Sequence, residues 1–241
     1  MGRPIRRRRG RADRRPPVIQ LLTRNLNRLV IVASLTLPDL RVGMINRLLV
    51  LAEQERLQVI IVLTKLDLLE DAAQAEATAR LYRALGYGCI LTSIHTGQGV
   101  DELRRELGQG RSALCGHSGV GKSSLLGLLQ PNSSPLTGEV SLATGKGRHT
   151  TTTYRLVELD GGGEIYDLPG FKLVPISLER AELKDCFPEF ATCDCRYRNC
   201  MHLEEPACGV LEAVASGRIA THRYESYRFI LDTLEEKLAT P

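Results

Sequence analysis

The sequence lacks any run of about 18 apolar residues, the length that a membrane-spanning helix requires. Its N-terminus also lacks the apolar core of a signal peptide, so we expect a cytoplasmic protein that has no membrane partner. The seven cysteines are therefore expected to be thiols or metal ligands, because disulfides are rare inside cells. No internal repeat is visible, and 241 residues predict one medium domain plus a smaller one.

Positive charge is concentrated at the N-terminus. Residues 1–15 contain eight arginines and one aspartate, a net charge of +7, so the remaining residues carry −3 of the total +4. One interpretation is a solvated tail without further function. The other is a phosphate-seeking arm for RNA, whose affinity falls steeply with salt. The segment has no aromatic residue to stack on a base, so we expect no base-specific readout from it.

Strand-like and helix-like segments alternate along most of the chain. Continuous apolar runs at 29–33 and 59–63 predict buried parallel strands, and 89–91 and 112–115 predict two shorter ones, with helical spacing between them. Extended segments around the glycines at 161–163 predict a hairpin, and the polar stretch 130–153 predicts a long loop. This pattern indicates an α/β fold, a parallel sheet with helices on both faces, whose ligands bind beyond the carboxyl ends of the strands.

A phosphate loop lies near the middle of the chain, between a predicted strand and a predicted helix. It reads Gly116-His117-Ser118-Gly119-Val120-Gly121-Lys122-Ser123, and Ser124 continues into the helix. The glycines let backbone N–H groups surround phosphate oxygens at a helix N-terminus, which this context favours over a chance glycine-rich turn. Lys122 is predicted to hold the β- and γ-phosphates and Ser123 to bind Mg²⁺. His117 is expected to contribute only its backbone.

A guanine-reading motif, Thr64-Lys65-Leu66-Asp67, follows an earlier predicted strand. The Asp67 carboxylate can accept from guanine N1–H and the 2-amino group, which adenine does not offer at those positions. The turn Thr92-Ser93-Ile94 follows the next strand, and the backbone of Ser93 and Ile94 is expected to donate to guanine O6. Thr64 replaces the commoner asparagine, so we expect its contact with the phosphate loop to be weaker. The alternative is a surface Lys-x-Asp without function.

The switch region follows the phosphate loop, at Asp167-Leu168-Pro169-Gly170. Asp167 is predicted to support Mg²⁺ through water, and Gly170 N–H to contact the γ-phosphate. Phe171 stands where Ras-like enzymes carry a water-orienting glutamine, so intrinsic hydrolysis should be slow. His149 is a candidate for that role, its alternative being an ordinary loop residue. One threonine of 150–153 is expected to bind Mg²⁺; Thr151 is the candidate, and the sequence leaves the choice open.

Four residues near the C-terminus have the spacing of a metal site, C-x4-C-x-H-x5-C. They are Cys195, Cys200, His202 and Cys208. Three thiolates and one imidazole suit a closed, structural Zn²⁺ site. A segment with few large apolar residues needs such a cross-link to be stably folded. Cys193 competes with Cys195 as first ligand, and the spacing favours Cys195. Free thiols in a loop are the alternative, whereas Cys89 and Cys115 are expected to be packing residues.

In an ordinary small GTPase the phosphate loop precedes the base-reading motif, whereas here it follows. This order, the segment Gly147-Arg148-His149-Thr150-Thr151-Thr152 and the cysteine cluster with Glu205-Pro206 together resemble the RsgA (YjeQ) family of circularly permuted GTPases. The resemblance implies hydrolysis of GTP to GDP and phosphate, stimulated by the 30S ribosomal subunit, in late maturation of that subunit. It also implies contact with 16S rRNA, one Zn²⁺ and Mg²⁺ bound with GTP; we expect a monomer.

The family pattern divides the chain into three parts. We expect a basic tail or remnant of an OB-fold over 1–16, the permuted GTPase domain over 17–173, and a helical zinc-binding domain over 174–241. Members usually carry a full N-terminal OB-fold, which sixteen residues cannot form. Two other functions stay open: a GTP-gated RNA-binding module with incidental hydrolysis, and an inactive truncated paralogue. Because the switch leads into the zinc domain, hydrolysis is expected to shift that domain and weaken ribosome binding.

Overall fold

A mixed sheet forms the centre of the computed structural model, which describes residues 26–130, 139–141, 153–167, 176 and 178–239. The described strands are β1 (Arg28–Ser34), β2 (Gln58–Thr64), β3 (Gly88–Leu91), β4 (Arg111–Gly116), β5 (Glu139–Ser141), β6 (Thr153–Glu158) and β7 (Glu164–Asp167). They lie in the order β3-β2-β1-β4-β7-β6-β5. The pairs among β3, β2, β1, β4 and β7 are parallel, whereas β6 is antiparallel to both β5 and β7.

The two faces of the sheet are covered by different helices. The described α-helices are α1 (Val42–Glu55), α2 (Ala72–Ala84), α3 (Val100–Leu107), α4 (Lys122–Leu129), α5 (Gly209–Ala215) and α6 (Thr221–Ala239). Residues of α1 and α2 pack in one hydrophobic core, and residues of α3 and α4 in the other. The predicted fold class is therefore confirmed, with an antiparallel edge that contains the predicted hairpin.

The central strand β1 shows why the apolar runs form strands here. Successive side chains of a strand point to opposite faces, and Leu29 and Ile31 belong to one core while Val30 and Val32 belong to the other. All four are fully buried, so an uninterrupted apolar run is required at the middle of a sheet covered on both sides. The predicted packing cysteines behave alike: Cys89 and Cys115 are buried, and burial raises the pKa of Cys89 to about 12.

The strand register brings the predicted motifs to one edge of the sheet. Ser34 pairs with Thr64, Val32 with Gly116, and Leu114 with Asp167. Since β1, β2, β4 and β7 run in the same direction, the base motif, the phosphate loop and the start of the switch all begin at this edge.

The C-terminal region builds a third core from short elements. Two 3₁₀ segments, Arg180–Cys186 and Pro188–Thr192, precede α5 and α6. Phe187, Phe190 and Tyr227 pack together in this core with ring centroids 5.1–5.4 Å apart, and Val50 of α1 belongs to the same core. Helix α1 therefore contacts both the sheet and the C-terminal region. Among the described helices, none combines the length and apolar composition needed to cross a bilayer.

Candidate nucleotide site and metal centre

The phosphate loop has a backbone path that requires glycine at two positions. A Cβ placed on Gly116 would lie 2.2 Å from the carbonyl oxygen of Val32, inside contact distance of a neighbouring strand. Gly121 has φ +94°, and its Cβ would lie 2.9 Å from Cδ1 of Ile94 in the base-reading turn. These glycines allow β4 to turn sharply into α4, so that the N-terminus of α4 faces the loop.

Lys122, the first residue of α4, directs its ammonium group into the loop. Its Nζ donates to the carbonyl oxygens of Gly116 at 2.9 Å and His117 at 2.8 Å. These contacts hold a positive charge beside the backbone N–H groups that the motif uses for phosphate. The next two residues, Ser123 and Ser124, are exposed on the first turn of α4.

Thr64 links the base motif directly to the phosphate loop. Its buried hydroxyl donates to the carbonyl oxygen of Val120 at 2.7 Å and lies 3.3 Å from that of Ala33. The 2.7 Å distance is ordinary for a hydroxyl donor, and the expectation that the contact is weaker than that of an asparagine stays a prediction. The short side chain suffices because Val120 lies within its reach.

The Asp67 carboxylate is exposed at the same edge and is oriented by the next turn. Ser93 Oγ donates to Asp67 Oδ1 at 2.5 Å. This hydrogen bond lowers the pKa of Asp67 from its ordinary value, so the carboxylate is ionised at neutral pH and acts as an acceptor. Lys65 has φ +64°, and its Nζ donates to the carbonyl oxygen of Leu37.

The turn after β3 is closed by its own backbone. Ser93 N–H donates to the Gln98 carbonyl oxygen at 3.1 Å, so the expected donation from this N–H to guanine O6 is not the arrangement seen. The Ser93 hydroxyl also accepts from Thr96 N–H at 3.1 Å. Ser93 therefore positions Asp67, whereas Ile94 lies against the phosphate loop at Gly121. Leu66 N–H donates to the Thr92 carbonyl oxygen at 3.2 Å and joins the two turns.

The four predicted zinc ligands converge in the C-terminal region, with ligand atoms within 4.8 Å of one another. Cys195 Sγ lies 3.5 Å from His202 Nδ1 and 3.9 Å from Cys208 Sγ, and His202 Nδ1 lies 3.4 Å from Cys208 Sγ. A tetrahedral Zn²⁺ with bonds of about 2.3 Å to sulfur and about 2.0 Å to nitrogen separates its ligands by about 3.5–3.8 Å. The donor set therefore fits one zinc ion.

Cys195 belongs to this cluster, and Cys193 does not. Cys193 Sγ points to the Glu189 carbonyl oxygen at 3.7 Å. The 3.9 Å between Cys195 and Cys208 sulfurs is far from a disulfide bond of about 2.05 Å. An antiparallel bridge between the same two residues holds the ends of the zinc loop together.

Comparison with known proteins identifies the family. The model of the RsgA GTPase family matches residues 5–177. The chain belongs to the RsgA GTPase family. As an RsgA-family member it is a GTP-hydrolysing enzyme of the circularly permuted type.

Curated relatives agree over nearly the whole chain. The "small ribosomal subunit biogenesis GTPase RsgA" of Caldanaerobacter subterraneus is 37% identical over 225 residues, which cover 92% of this chain and 74% of that protein. The protein of the same name from Chlorobaculum tepidum is 40% identical over 235 residues, which cover 96% and 75%.

Solved structures extend the agreement to the fold. The crystal structure of YjeQ from Thermotoga maritima has a TM-score of 0.74 at 36% identity, covering 87% of this chain and 72% of that one. YloQ, described as a circularly permuted GTPase, has a TM-score of 0.71 at 31% identity, covering 88% and 69%.

The zinc loop of this RsgA-family chain is braced by Glu205. Its carboxylate accepts from the backbone N–H groups of Met201 at 2.6 Å and Leu203 at 2.8 Å. Desolvation acts to raise the pKa of Glu205, but these hydrogen bonds outweigh it and lower the pKa to about 2. Tyr227 OH donates to the Met201 carbonyl oxygen at 2.6 Å, so α6 also fixes this loop.

Two groups at the phosphate loop were missed by the sequence analysis. Arg41 Nη1 lies 2.9 Å from His117 Nε2, and His117 Nδ1 lies 2.9 Å from the Ser118 carbonyl oxygen. The His117 side chain therefore has contacts that the sequence did not indicate, while the expectation that His117 serves the nucleotide only with its backbone stays a prediction. Arg41 belongs to no sequence motif. The one feature that could have indicated its role is its place in the segment after the carboxyl end of β1, where α/β sheets bind ligands.

Helix α1 and the C-terminal region meet at a buried polar cluster that the sequence analysis also missed. Arg223 of α6 is 1% exposed and pairs with Glu189 through nitrogen–oxygen distances of 2.6 and 3.0 Å. Its Nη1 donates to Asn46 Oδ1 at 3.1 Å, and Asn46 Nδ2 donates to Ser226 Oγ at 2.8 Å. Both the oxygen and the nitrogen of the Asn46 amide therefore have hydrogen-bond partners on α6, and these bonds fix α6 against α1.

Among the predicted switch residues, Thr153 lies within the described chain as the first residue of β6, and so does Asp167. Asp167 ends β7 opposite Leu114, two residues before the phosphate loop begins at Gly116. His149, Thr151 and Gly170 lie outside the described residues. Their roles in water positioning, Mg²⁺ binding and γ-phosphate contact stay predictions.

Proposed function

We propose that this RsgA-family chain hydrolyses GTP to GDP and phosphate, is stimulated by the 30S ribosomal subunit, and acts in late maturation of that subunit. The observation that carries the GTP assignment is the joining of the guanine motif to the phosphate loop through the 2.7 Å hydrogen bond from Thr64 to Val120. The ribosomal assignment is supported by the relatives, which are named small ribosomal subunit biogenesis GTPases.

Selection of guanine is assigned to Asp67. The Ser93 hydrogen bond and the lowered pKa keep its carboxylate ionised and oriented. Guanine presents two N–H donors to such an acceptor, and adenine leaves it unpaired, which costs binding energy. We assign guanine O6 to the backbone N–H of Ile94, because the Ser93 N–H is engaged within its own turn.

Hydrolysis is assigned to the loop and its neighbouring strand. We propose that Lys122 and the N–H groups from Gly116 to Ser124 stabilise phosphate charge, and that Ser123, Asp167 and Thr151 hold Mg²⁺. Bound Mg²⁺ supplies neutralisation of the β- and γ-phosphate oxygens. Water attacks the γ-phosphorus, the bond to the β–γ bridging oxygen breaks, and that oxygen leaves with GDP. His149 is proposed to orient the water, in place of the glutamine that Phe171 replaces.

The zinc region is proposed to dock on 16S rRNA as a rigid unit. One Zn²⁺ held by Cys195, Cys200, His202 and Cys208 would cross-link the zinc loop, in which Cys200 and Cys208 belong to the third hydrophobic core. We propose the division into a basic tail (1–16), a GTPase domain (17–173) and a zinc domain (174–241). The proposed partners are GTP or GDP and the cytoplasmic 30S subunit. We propose that the protein binds them as a monomer.

A GTP-gated RNA-binding module with incidental hydrolysis is the second candidate function. Phe171 is compatible with it, because a phenyl ring has no hydrogen-bonding group with which to orient the attacking water. The two candidates differ in turnover: the module needs GTP binding alone, whereas the proposed enzyme needs each ribosome encounter to accelerate hydrolysis.

The test is GTP turnover by the purified full chain, alone and with 30S subunits. We expect strong stimulation by 30S and none by 50S subunits, no comparable ATP turnover, and loss of activity in Lys122→Ala. GTP binding without stimulation would favour the binding module. Equal turnover of ATP and GTP would contradict the role of Asp67.

A further inference from the structure

The turn between β1 and α1 lies along the phosphate loop. Leu37 accepts a hydrogen bond from Lys65 of the base motif. A Cβ placed on Gly119 would lie 3.7 Å from Pro38 Cδ, so this turn is in van der Waals reach of the loop. Arg41, at the end of the turn, contacts His117 inside the loop. Three separate contacts thus place the turn at the nucleotide site.

The contacts of His117 define how Arg41 is held. A guanidinium only donates hydrogen bonds, so His117 Nε2 must be the acceptor in its 2.9 Å contact with Arg41. His117 Nδ1 then carries the proton and donates to the Ser118 carbonyl oxygen at 2.9 Å. The imidazole is therefore a neutral bridge with both nitrogens engaged, and it holds the guanidinium beside the loop.

Arg41 has the properties of a phosphate-binding group at this place. Its guanidinium carries a permanent charge and five N–H donors, and one of them is used by His117. Among the described residues, the guanidinium has no other partner. Arg41 is exposed, and its side chain makes no capping hydrogen bond to α1, whose N-cap it is. Within the part of the chain that the structure describes, neither the start of the helix nor a salt bridge explains the position of Arg41.

We propose that Arg41 is a charge-stabilising residue of the GTP site, steered by His117 toward the γ-phosphate. This inference rests on the proposed GTP hydrolysis. As the bond between the γ-phosphorus and the bridging oxygen breaks, its electron pair goes to the bridging oxygen of the departing GDP, and Arg41 donates hydrogen bonds to the charge that develops between the β- and γ-phosphates without transferring a proton. A cation supplied in this way raises the rate of GTP hydrolysis by stabilising the transition state more than the ground state.

The test compares Arg41→Ala and Arg41→Lys in the full chain, with Arg80→Ala as control because Arg80 is exposed on α2. Single-turnover hydrolysis at saturating GTP is measured beside affinity for GDP and for GDP with aluminium fluoride, which mimics the transferring phosphoryl group. We expect Arg41→Ala to lower the rate about tenfold or more. Its affinity for GDP should stay within about threefold, and its affinity for the aluminium fluoride complex should fall about tenfold.

His117 gives the second arm. In His117→Gln the amide oxygen can still accept from Arg41, whereas His117→Ala removes the acceptor. We expect the glutamine variant to keep more of the rate than the alanine variant, and Arg41→Lys to fall between Arg41→Ala and the natural protein because it keeps charge without the planar fork.

Two results would overturn the proposal. One is a rate in Arg41→Ala within about twofold of the natural protein; the other is an equal loss of affinity for GDP and for its aluminium fluoride complex, which indicates a structural role. If the natural protein hydrolyses no GTP, the proposed function fails, while the aluminium fluoride comparison still decides for or against Arg41.

Discussion

Single residues of the nucleotide site act through hydrogen bonds between turns that follow different strands. Thr64 ends β2 and donates to Val120 in the loop that follows β4. Ser93 follows β3 and orients Asp67, which follows β2. Each of these contacts joins turns that follow different strands, so it forms only when the strands have assembled in this order.

Replacing Thr64 with valine tests the link between base motif and phosphate loop. Thr64→Val keeps the shape but leaves the Val120 carbonyl oxygen without its partner, which costs about 1 kcal/mol. We expect GTP affinity to fall about fivefold in equilibrium titration. Thr92→Val is the matched control, because the Thr92 hydroxyl contacts the strand carbonyl of Leu63 at 3.3 Å rather than the loop. Equal effects of the two substitutions would show that Thr64 acts only in packing.

Replacing Asp67 with asparagine tests base selection. The amide can donate where the carboxylate accepts, so Asp67→Asn loses the guanine N–H contacts and gains a partner for the 2-carbonyl of xanthine. We expect GTP affinity to fall about 100-fold, since hydrogen bonds to a charged group are lost, and affinity for xanthosine triphosphate to rise. Competition binding with the two nucleotides measures both. If the variant still preferred GTP, guanine would have to be recognised by residues other than Asp67.

The sequence contained the residues of the site but not all of their contacts. The phosphate loop and base motif were predictable because their chemistry fixes residue types at short spacing. Arg41 and the His117 side chain were not, because their meeting depends on the path of a turn separated from the loop by more than 70 residues. The contact of Thr64 with the loop likewise depends on where Val120 lies in the folded chain.

At the scale of elements, the zinc loop is held by Glu205 as well as by the metal ligands. We expect Glu205→Ala to weaken the folded zinc loop by about 2 kcal/mol of free energy. The reason is that two backbone N–H groups between the ligands lose a charged acceptor. Zinc should then pass to a chromogenic chelator about tenfold or more faster. Glu204→Ala, at an exposed neighbouring position, should transfer zinc at the natural rate. Identical rates in both variants would contradict a bracing role.

Helix α1 is the element that joins the nucleotide site to the zinc region. Asn46→Ala removes hydrogen bonds to Arg223 and Ser226 from a buried cluster, which we expect to cost about 2–3 kcal/mol in urea unfolding. Gln54→Ala on the same helix is the control, because the Gln54 amide donates to its neighbour Glu55. Equal stability of the two variants would mean that α6 is held to α1 without this cluster.

The main elements followed from the sequence, and the C-terminal ones followed only in part. Apolar runs such as 29–33 predicted strands because a doubly covered sheet demands them. The 3₁₀ segments Arg180–Cys186 and Pro188–Thr192 have no comparable pattern. They form because aromatic packing of Phe187 and Phe190 on Tyr227 holds them, and such distant contacts leave no periodic trace in the sequence.

At the scale of the whole molecule, chain order and packing give the nucleotide site two routes to the zinc region. Asp167 ends β7 at the site, and the chain continues from there toward Arg180–Cys186. The turn that contains Leu37 and Arg41 contacts the base motif and the phosphate loop. Helix α1 follows this turn and is hydrogen-bonded to Arg223 of α6 through Asn46. A change at the phosphates can therefore bias the placement of α6, provided that the two nucleotide states differ in these contacts.

The most direct test of this coupling is the affinity for 30S subunits in two nucleotide states, measured by co-sedimentation of the zinc-loaded full chain. Coupling of this kind predicts tighter binding with a non-hydrolysable GTP analogue than with GDP, by about tenfold or more, the range of ordinary allosteric coupling. Equal affinities in the two states would contradict it, because a ligand without differential affinity shifts no equilibrium.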